Sequence, residues 1–258
     1  MKSVGVSPSL QSVYDEQYSA ETVAWYEVGA KYKALNILDV CGGRRFGKVL
    51  ECGAGEGSIL AFLDRHGFAD SLYALEISDS GIRQIAKRAI PTLAEVRKFD
   101  GYNMPYPDKT FDLVVCSHVM EHVEHPRLLL REIARVSQFQ VFEIPLDYSP
   151  RVDGLLEHFL GYGHINIFTP STFRFLLKSE GFEVRMDKYS DENVEVSRFN
   201  AYRNQKLPKT PLREAKFLLY PLLVRIRRRL LYWPLRGDVG YAYYTCLTSA
   251  RPGASPGR

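Results

Sequence analysis

The residues with the clearest chemical potential stand in one run, Glu51-Cys52-Gly53-Ala54-Gly55-Glu56-Gly57-Ser58. Glycines at alternate positions let a backbone bend through angles closed to other residues and approach a ligand closely. The run follows an apolar stretch, Val49-Leu50, and a helical pattern opens at Ser58. The free amides of a helix start suit an electronegative group, so a nucleotide-like ligand competes here with a plain tight turn. The spacing is G-x-G-x-G, with Ser58 where the third glycine of a dinucleotide fingerprint would fall. Glu51, two residues ahead of the first glycine, would face a diphosphate badly. It would suit a cation, such as the amino group of an amino-acid-bearing nucleoside. Glu76 ends a second apolar run about 20 residues on, the distance at which a carboxylate reaches ribose hydroxyls in open α/β sheets. Taken singly, Glu76 could instead cap a helix, and Asp100 in Phe99-Asp100-Gly101 could start a turn.

Histidines form the second group. His118, His122 and His125 cluster with Glu121. The first two have the i, i+4 spacing of a shared helix face, but the order is not H-E-x-x-H and Pro126 follows closely, so no metal site is expected. His122 fits either the substrate side of a pocket or the close of a helical turn. His158 and His164 lie in the loop-rich stretch from Asp147 to Phe168, and a histidine near neutral pKa could remove an acceptor's proton. Asp112 opens a strand-like run, far from the strand ends where ligands bind, and reads as structural.

These residues need a scaffold, and the pattern around them supplies one. Short apolar runs alternate with helical patterns from Lys48 onward, which implies βαβ units and a parallel sheet. Strands are expected at Val49–Glu51, Ser71–Glu76, Ala94–Lys98, Phe111–Ser117, Phe139–Ile144, Phe182–Lys188 and Gly240–Thr248. Helices are expected from Thr22 to about Cys41 and at Ser58–His66, Ser80–Ala89, Pro126–Val136 and Pro170–Ser179. Thr169 can cap the last of these, with Pro170 at its first position. The chain has 258 residues, 45% apolar and 25% charged, ordinary for a soluble globular protein with one large core. It has no apolar run of membrane-spanning length and no basic segment followed by an apolar run, so neither a spanning helix nor a secretory signal is expected. Four cysteines without C-x-x-C spacing read as buried thiols in a reducing cytoplasm.

The ordered set Glu51 to Gly57, Glu76, Asp100-Gly101 and Phe111-Asp112-Leu113-Val114-Val115-Cys116-Ser117-His118-Val119-Met120-Glu121-His122-Val123 resembles the class I S-adenosylmethionine-dependent methyltransferases, most closely the small-molecule "type 11" group. Gly163-His164-Ile165-Asn166-Ile167-Phe168-Thr169-Pro170 and Glu180-Gly181-Phe182 look like that group's C-terminal half. The resemblance implies a Rossmann-like α/β fold: a seven-stranded, mostly parallel sheet in the order 3-2-1-4-5-7-6, helices on both faces, the last strand antiparallel. It implies S-adenosyl-L-methionine as cofactor, with S-adenosyl-L-homocysteine as product. Glu51 would contact the methionyl amino group, and Gly53, Ala54, Gly55 and Gly57 would shape the loop. Glu76 would accept both ribose hydroxyls and Ile77 would pack on adenine. Asp100 and Gly101 would bind the adenine edge, and Ser117 and His118 would border the methyl donor. His118, His122 and His164 are the candidate catalytic groups.

The expected organisation is a helical cap over 1–46, a cofactor-binding core over 47–190, an insertion over 191–238, a last strand over 239–249 and a disordered tail over 250–258. Net charge is +4, yet ten Lys or Arg and one acid between Arg203 and Arg236 give that window +9 and leave −5 elsewhere. Such local basicity argues against nucleic-acid binding. In the insertion, Pro221 is expected to break or kink a helical stretch, and apolar residues beside Arg225, Arg227, Arg228 and Arg229 fit a lid, an anionic membrane surface over 211–236 or a homodimer contact. The expected function is methyl transfer to an oxygen or nitrogen of a small-molecule, lipid-linked or sugar-linked acceptor. The rival readings are an NAD-dependent oxidoreductase and a non-catalytic cofactor-binding scaffold.

Overall fold

The computed structural model describes residues 5–7, 18, 20–149, 152–232 and 240–250. The sequence readings at Arg236 and of the tail past Ala250 lie outside the described residues. Seven strands form one sheet in the order β3-β2-β1-β4-β5-β7-β6. They are β1 Phe46–Cys52, β2 Ala69–Glu76, β3 Leu93–Lys98, β4 Phe111–Ser117, β5 Ser137–Pro145, β6 Phe182–Ser190 and β7 Tyr243–Ala250. Pairings among β1 to β5 are parallel, and β7 runs antiparallel to both β5 and β6.

Side chains alternate between two faces along each strand, and both faces are covered. Leu50, Cys52, Val114 and Cys116 point into one apolar layer with Leu130 and Ile133 of α4 (Pro126–Val136) and Phe173 and Leu177 of α6 (Pro170–Ser179). Val49, Leu113 and Val115 point the other way, against α1 (Ala20–Cys41), α2 (Ser58–Arg65) and α3 (Asp79–Lys87). All four cysteines are buried thiols. Between α4 and α6 lie β5 and a short helix, α5 (Leu156–Gly161).

Local chemistry sets the boundaries. Thr169 and Thr172 form a reciprocal capping box at the start of α6, with Pro170 in the first turn. Ser78 caps α3 by accepting from Gly81 N. The Asp112 carboxylate accepts from Gly47 N and Lys48 N, both at 2.9 Å, and ties the start of β4 to the start of β1.

The insertion departs from expectation. Helix α7 (Val194–Phe199) packs on α1, and α8 (Pro211–Arg227) runs unbroken through Pro221. Pro221 sits exposed, where the Phe217 carbonyl that loses its intrahelical donor can be hydrated, so the helix continues. Thr210 caps α8, and Glu214 fastens it to Arg198 of α7 and to Tyr202 in the helical turn that follows α7. Much of its remaining surface is apolar: Leu212, Leu218, Leu219, Leu222, Leu223 and Ile226 are all exposed, beside the charged Lys216 and Arg225.

Candidate active site

In an open α/β sheet, ligands bind past the carboxyl ends of the strands where the strand order reverses. Here that point falls between β1 and β4, and a cavity of about 810 Å³ opens there. One end of it lies over β1, β2 and β3, the other over β4 and β5.

At the first end, the glycine loop is held against β2 by Gly53 N and Ala54 N, which both donate to the Leu75 carbonyl at 2.8 and 3.0 Å. Gly53 has φ 75°, and a Cβ there would fall 2.5 Å from a methyl carbon of Val119. Only glycine fits. Gly57, at φ 84°, is turned the other way: a Cβ on it would meet Ile85 and Arg88, and it does not line the cavity. Its part is to let α2 start close to α3. Glu56, which sequence reasoning passed over, accepts from Ser58 N at 2.7 Å and from Arg88 at 3.1 Å.

The two acids expected at this end differ in kind. Glu51 is 1% exposed, and its Oε2 has no hydrogen-bond partner. Burial, and then the nearby Glu56 charge, push its carboxyl well above the usual range. Glu76 is equally buried but well supplied: Oε2 accepts from Gly55 N at 2.8 Å, and Oε1 accepts from Ser78 N at 2.9 Å and Ser78 Oγ at 2.7 Å. Burial raises its pKa as well, against the pull of these bonds.

Ile77 and Gly101 line the cavity; Asp100 does not. Its carboxylate turns back to accept from Tyr102 N, Asn103 N and Asn103 Nδ2 at 2.9, 2.7 and 2.5 Å. This is the plain turn-former that its type and position allowed. Those donors hold its carboxyl below the usual range, although burial opposes them. Above this turn lies Val6. Its N donates to the Asp100 carbonyl at 2.9 Å, its side chain stands over Gly101, and Ser7 N donates to Glu124 at 3.2 Å.

At the second end, Ser117 and His118 border the cavity as expected. Ser117 Oγ donates to Glu143 at 2.9 Å, and the Asn36 amide donates to the same carboxylate at 2.8 Å. His118 has a left-handed backbone at φ 54°, uncommon for a residue with a side chain. Burial, and then the Lys33 charge, push its imidazole down to about 3, so the ring is neutral. Its Nε2 has no partner.

His122 and His164 also line this end, with ring centroids 4.8 Å apart. Backbone bonds bring them together. Ile165 N and Asn166 N donate to the Glu121 carbonyl at 2.9 and 3.0 Å, and the Asn166 amide donates to Met120 and Val123 carbonyls at 3.2 and 2.7 Å. His122 Nδ1 donates to the Gly163 carbonyl at 2.9 Å, and His164 Nδ1 donates to Asp147 at 2.6 Å. Burial lowers the His122 pKa. For His164 burial also acts downward, but the Asp147 hydrogen bond and charge prevail and raise it.

The sequence did not single out Lys33, Asp147 or Tyr243, all of which line the cavity. Lys33 was visible in principle, as a lysine among the inward positions of α1. The sequence spacing assigned no metal, yet Glu121, His122 and His164 offer ligand-type atoms within 4.8 Å of one another. That grouping depends on a long-range loop contact, which local spacing cannot report. Among the described residues, α8 contributes nothing to the cavity wall, whereas Glu192 and Val196 beside and within α7 do. No helix among the described residues is long and apolar enough to cross a membrane.

The family described as "Methyltransferase domain" matches residues 26–186, more than half of the chain. The YrhH protein of Bacillus subtilis is 28% identical over 44% of this chain and 67% of its own length. A phosphatidylethanolamine N-methyltransferase of Cereibacter sphaeroides is 29% identical over 36% of this chain and 46% of its own. A fatty-acid O-methyltransferase of Mycolicibacterium smegmatis is 31% identical over 41% and 39%. The chain thus spans less than half the length of the latter two. Among solved structures, a SAM-dependent methyltransferase of Thermotoga maritima superposes with TM-score 0.59 at 16% identity, over 94% of this chain and all of that one. The [4+2]-cyclase SpnF superposes with TM-score 0.62 at 12% identity, over 96% and 97%. At such identities the likeness is one of fold, and the cyclase makes clear that this fold does not dictate the reaction.

Proposed function

The chain belongs to the methyltransferase-domain family and is a class I S-adenosylmethionine-dependent methyltransferase, and from that premise we propose that it methylates an oxygen or nitrogen of a small, amphiphilic or lipid-linked acceptor. One observation carries the reading: a single cavity joins the Glu51 and Glu76 end to the His118, His122 and His164 end. The first end fits the cofactor. Glu51 Oε2 is a buried acceptor without a donor, which an amino-acid ammonium group would supply. Gly53, Ala54 and Gly55 present bare backbone beside it. Glu76 uses three acceptor sites on the protein and keeps capacity for a ribose hydroxyl. Ile77 and Gly101 would flank the adenine, with Asp100 and Gly57 shaping the turns on which these contacts depend.

When bound, S-adenosylmethionine supplies an activated methyl group: the acceptor's electron pair forms the new bond, the carbon–sulfur bond breaks toward sulfur, and S-adenosylhomocysteine leaves. Orientation and electrostatics are then the protein's work. Ser117 and His118 would border the reacting carbon. The acceptor would give up its proton at the β4 and β5 end, where His118, His122 and His164 line the cavity. Calorimetry tests the reading: one S-adenosylhomocysteine per chain and no heat from NAD are expected. Tight NAD binding without S-adenosylhomocysteine binding would replace it with the oxidoreductase.

The lipid-linked acceptor is supported by α8. Leu219, Leu222, Leu223 and Ile226 recur at three- and four-residue steps and are exposed, with Lys216, Arg225 and Arg229 exposed nearby. Such a face suits an anionic membrane surface. Two relatives named above carry lipids in their own names. A second copy of the chain is the competing occupant.

A further inference from the structure

Glu121 presents a physical problem. Its side chain is 1% exposed, and neither carboxylate oxygen accepts a hydrogen bond. The nearest ring nitrogens, His118 Nδ1 at 3.4 Å and His122 Nε2 at 3.8 Å, do not satisfy it. A buried carboxylate without partners is costly unless it is neutralised or bound.

The surroundings answer that need. His122 gives its Nδ1 hydrogen to a backbone carbonyl, which leaves Nε2 carrying the lone pair and aimed toward Glu121. His164 gives its Nδ1 hydrogen to Asp147, which leaves its Nε2 as the ligand atom. These are the outer-sphere bonds that orient metal-binding imidazoles and fix their tautomers. A carboxylate oxygen and two imidazole nitrogens lie within 4.8 Å of one another. Ligands at about 2.0–2.2 Å from a common ion stand roughly 3–4 Å apart, so small side-chain rotations complete the set.

We infer that Glu121, His122 and His164 hold one first-row divalent cation at the acceptor end of the cavity. Two nitrogens and one oxygen favour manganese, iron, cobalt or zinc over magnesium or calcium, which prefer oxygen alone. Three protein ligands leave open positions facing the cavity. An acceptor hydroxyl placed there loses its proton to solvent more readily, because the cation stabilises the oxyanion. The site therefore selects an oxygen acceptor. This role rests on the methyltransferase reading; the binding of the ion does not.

The test uses the full chain, stripped with chelator and titrated with Co²⁺ and Mn²⁺. Expected are one ion per chain, a visible d–d absorption for cobalt and competition between the two metals. Glu121→Gln and His164→Gln should each weaken cobalt binding roughly tenfold or more, while S-adenosylhomocysteine affinity stays within about threefold and certifies the fold. Should Glu121→Gln not fold, Asp147→Asn is read instead, with a loss of about tenfold from the missing outer-sphere bond. Wild-type protein that binds S-adenosylhomocysteine but takes up no cobalt overturns the site. So does stoichiometric uptake that survives Glu121→Gln and His164→Gln together. Cobalt uptake without S-adenosylhomocysteine binding supports the site and removes the cofactor reading alone.

Discussion

Two buried acids at one end of the cavity carry opposite predictions, because one is satisfied by the protein and the other is not. Glu76 accepts three hydrogen bonds from the loop and from Ser78. Glu76→Ala should lower the melting temperature and also weaken S-adenosylhomocysteine binding, since buried donors lose their acceptor and the ligand loses a contact. Glu51 Oε2 has no partner, so Glu51→Ala should leave the ligand-free melting temperature unchanged or raised. It should still weaken binding roughly tenfold or more, the worth of a charge-assisted hydrogen bond at about 1.5–3 kcal/mol. Thermal melts and calorimetry on both variants check the pair; a destabilised Glu51→Ala would refute the assignment. At this scale residue type and short spacing sufficed to place Glu51, Gly53 and Glu76 together at the cavity wall. Asp100 and Gly57 fall outside the wall, because their types serve a turn and a helix contact as readily as a ligand. The sequence was silent on the meeting of Glu121 with His164, because the bonds that bring them together end on backbone carbonyls that no residue type announces.

Among the elements, α4 and α6 are joined by one buried acid. Glu180 follows the last turn of α6 and accepts from Arg127 at 2.5 Å and from Arg131 at 2.8 Å, both on α4. Burial pushes its carboxyl up, but the bonds from Arg131 and Arg127 prevail and hold it below the usual range. A folded pKa below the unfolded one gives stability that is present above the unfolded value, about 4.3, and is lost as pH falls through the folded value. Glu180→Gln should therefore cost about 1 kcal/mol at neutral pH, a modest figure because both arginines are about half exposed. Urea titrations should show the gap to wild type closing in acid; a gap that persists there would refute the linkage. The starts of α4 and α6 were readable because their signals are local, Pro126 and Pro170 in the first turns and the Thr169 cap on α6: Thr169→Ala should cost about 1 kcal/mol by the same measurement. The path of α8 was not readable, since a proline's effect depends on whether its side of the helix meets solvent.

For the molecule as a whole, the strand order followed from the resemblance rather than from periodicity, which predicts strands but not their neighbours. The basic window also needed coordinates. Arg228, counted with its neighbours as surface charge, pairs with Asp191 and stacks 3.4 Å from the Tyr241 ring centroid, so it braces the insertion. The membrane reading is therefore tested with Lys216, Arg225 and Arg229. Neutralising all three should cost about 3 kcal/mol of binding to phosphatidylglycerol vesicles, at about 1 kcal/mol each, without altering S-adenosylhomocysteine affinity. Wild-type protein that ignores such vesicles but sediments as a dimer would transfer this face to self-association.

The short stretch at Val6 and Ser7 adds a kinetic dimension. Val6 N donates to the Asp100 carbonyl, Ser7 N donates to Glu124, and Val6 forms part of the cavity rim. A surface contact at a cavity rim can open far faster than the core unfolds, yet a nucleoside seated beneath it would have to wait for that opening. Its grip would then set how long the spent cofactor dwells, and through dwell time the turnover number itself. Val6→Gly combined with Glu124→Ala should shorten the residence of S-adenosylhomocysteine in stopped-flow displacement and leave the association rate almost unchanged. An unaltered dissociation rate would mean that the product leaves by another route.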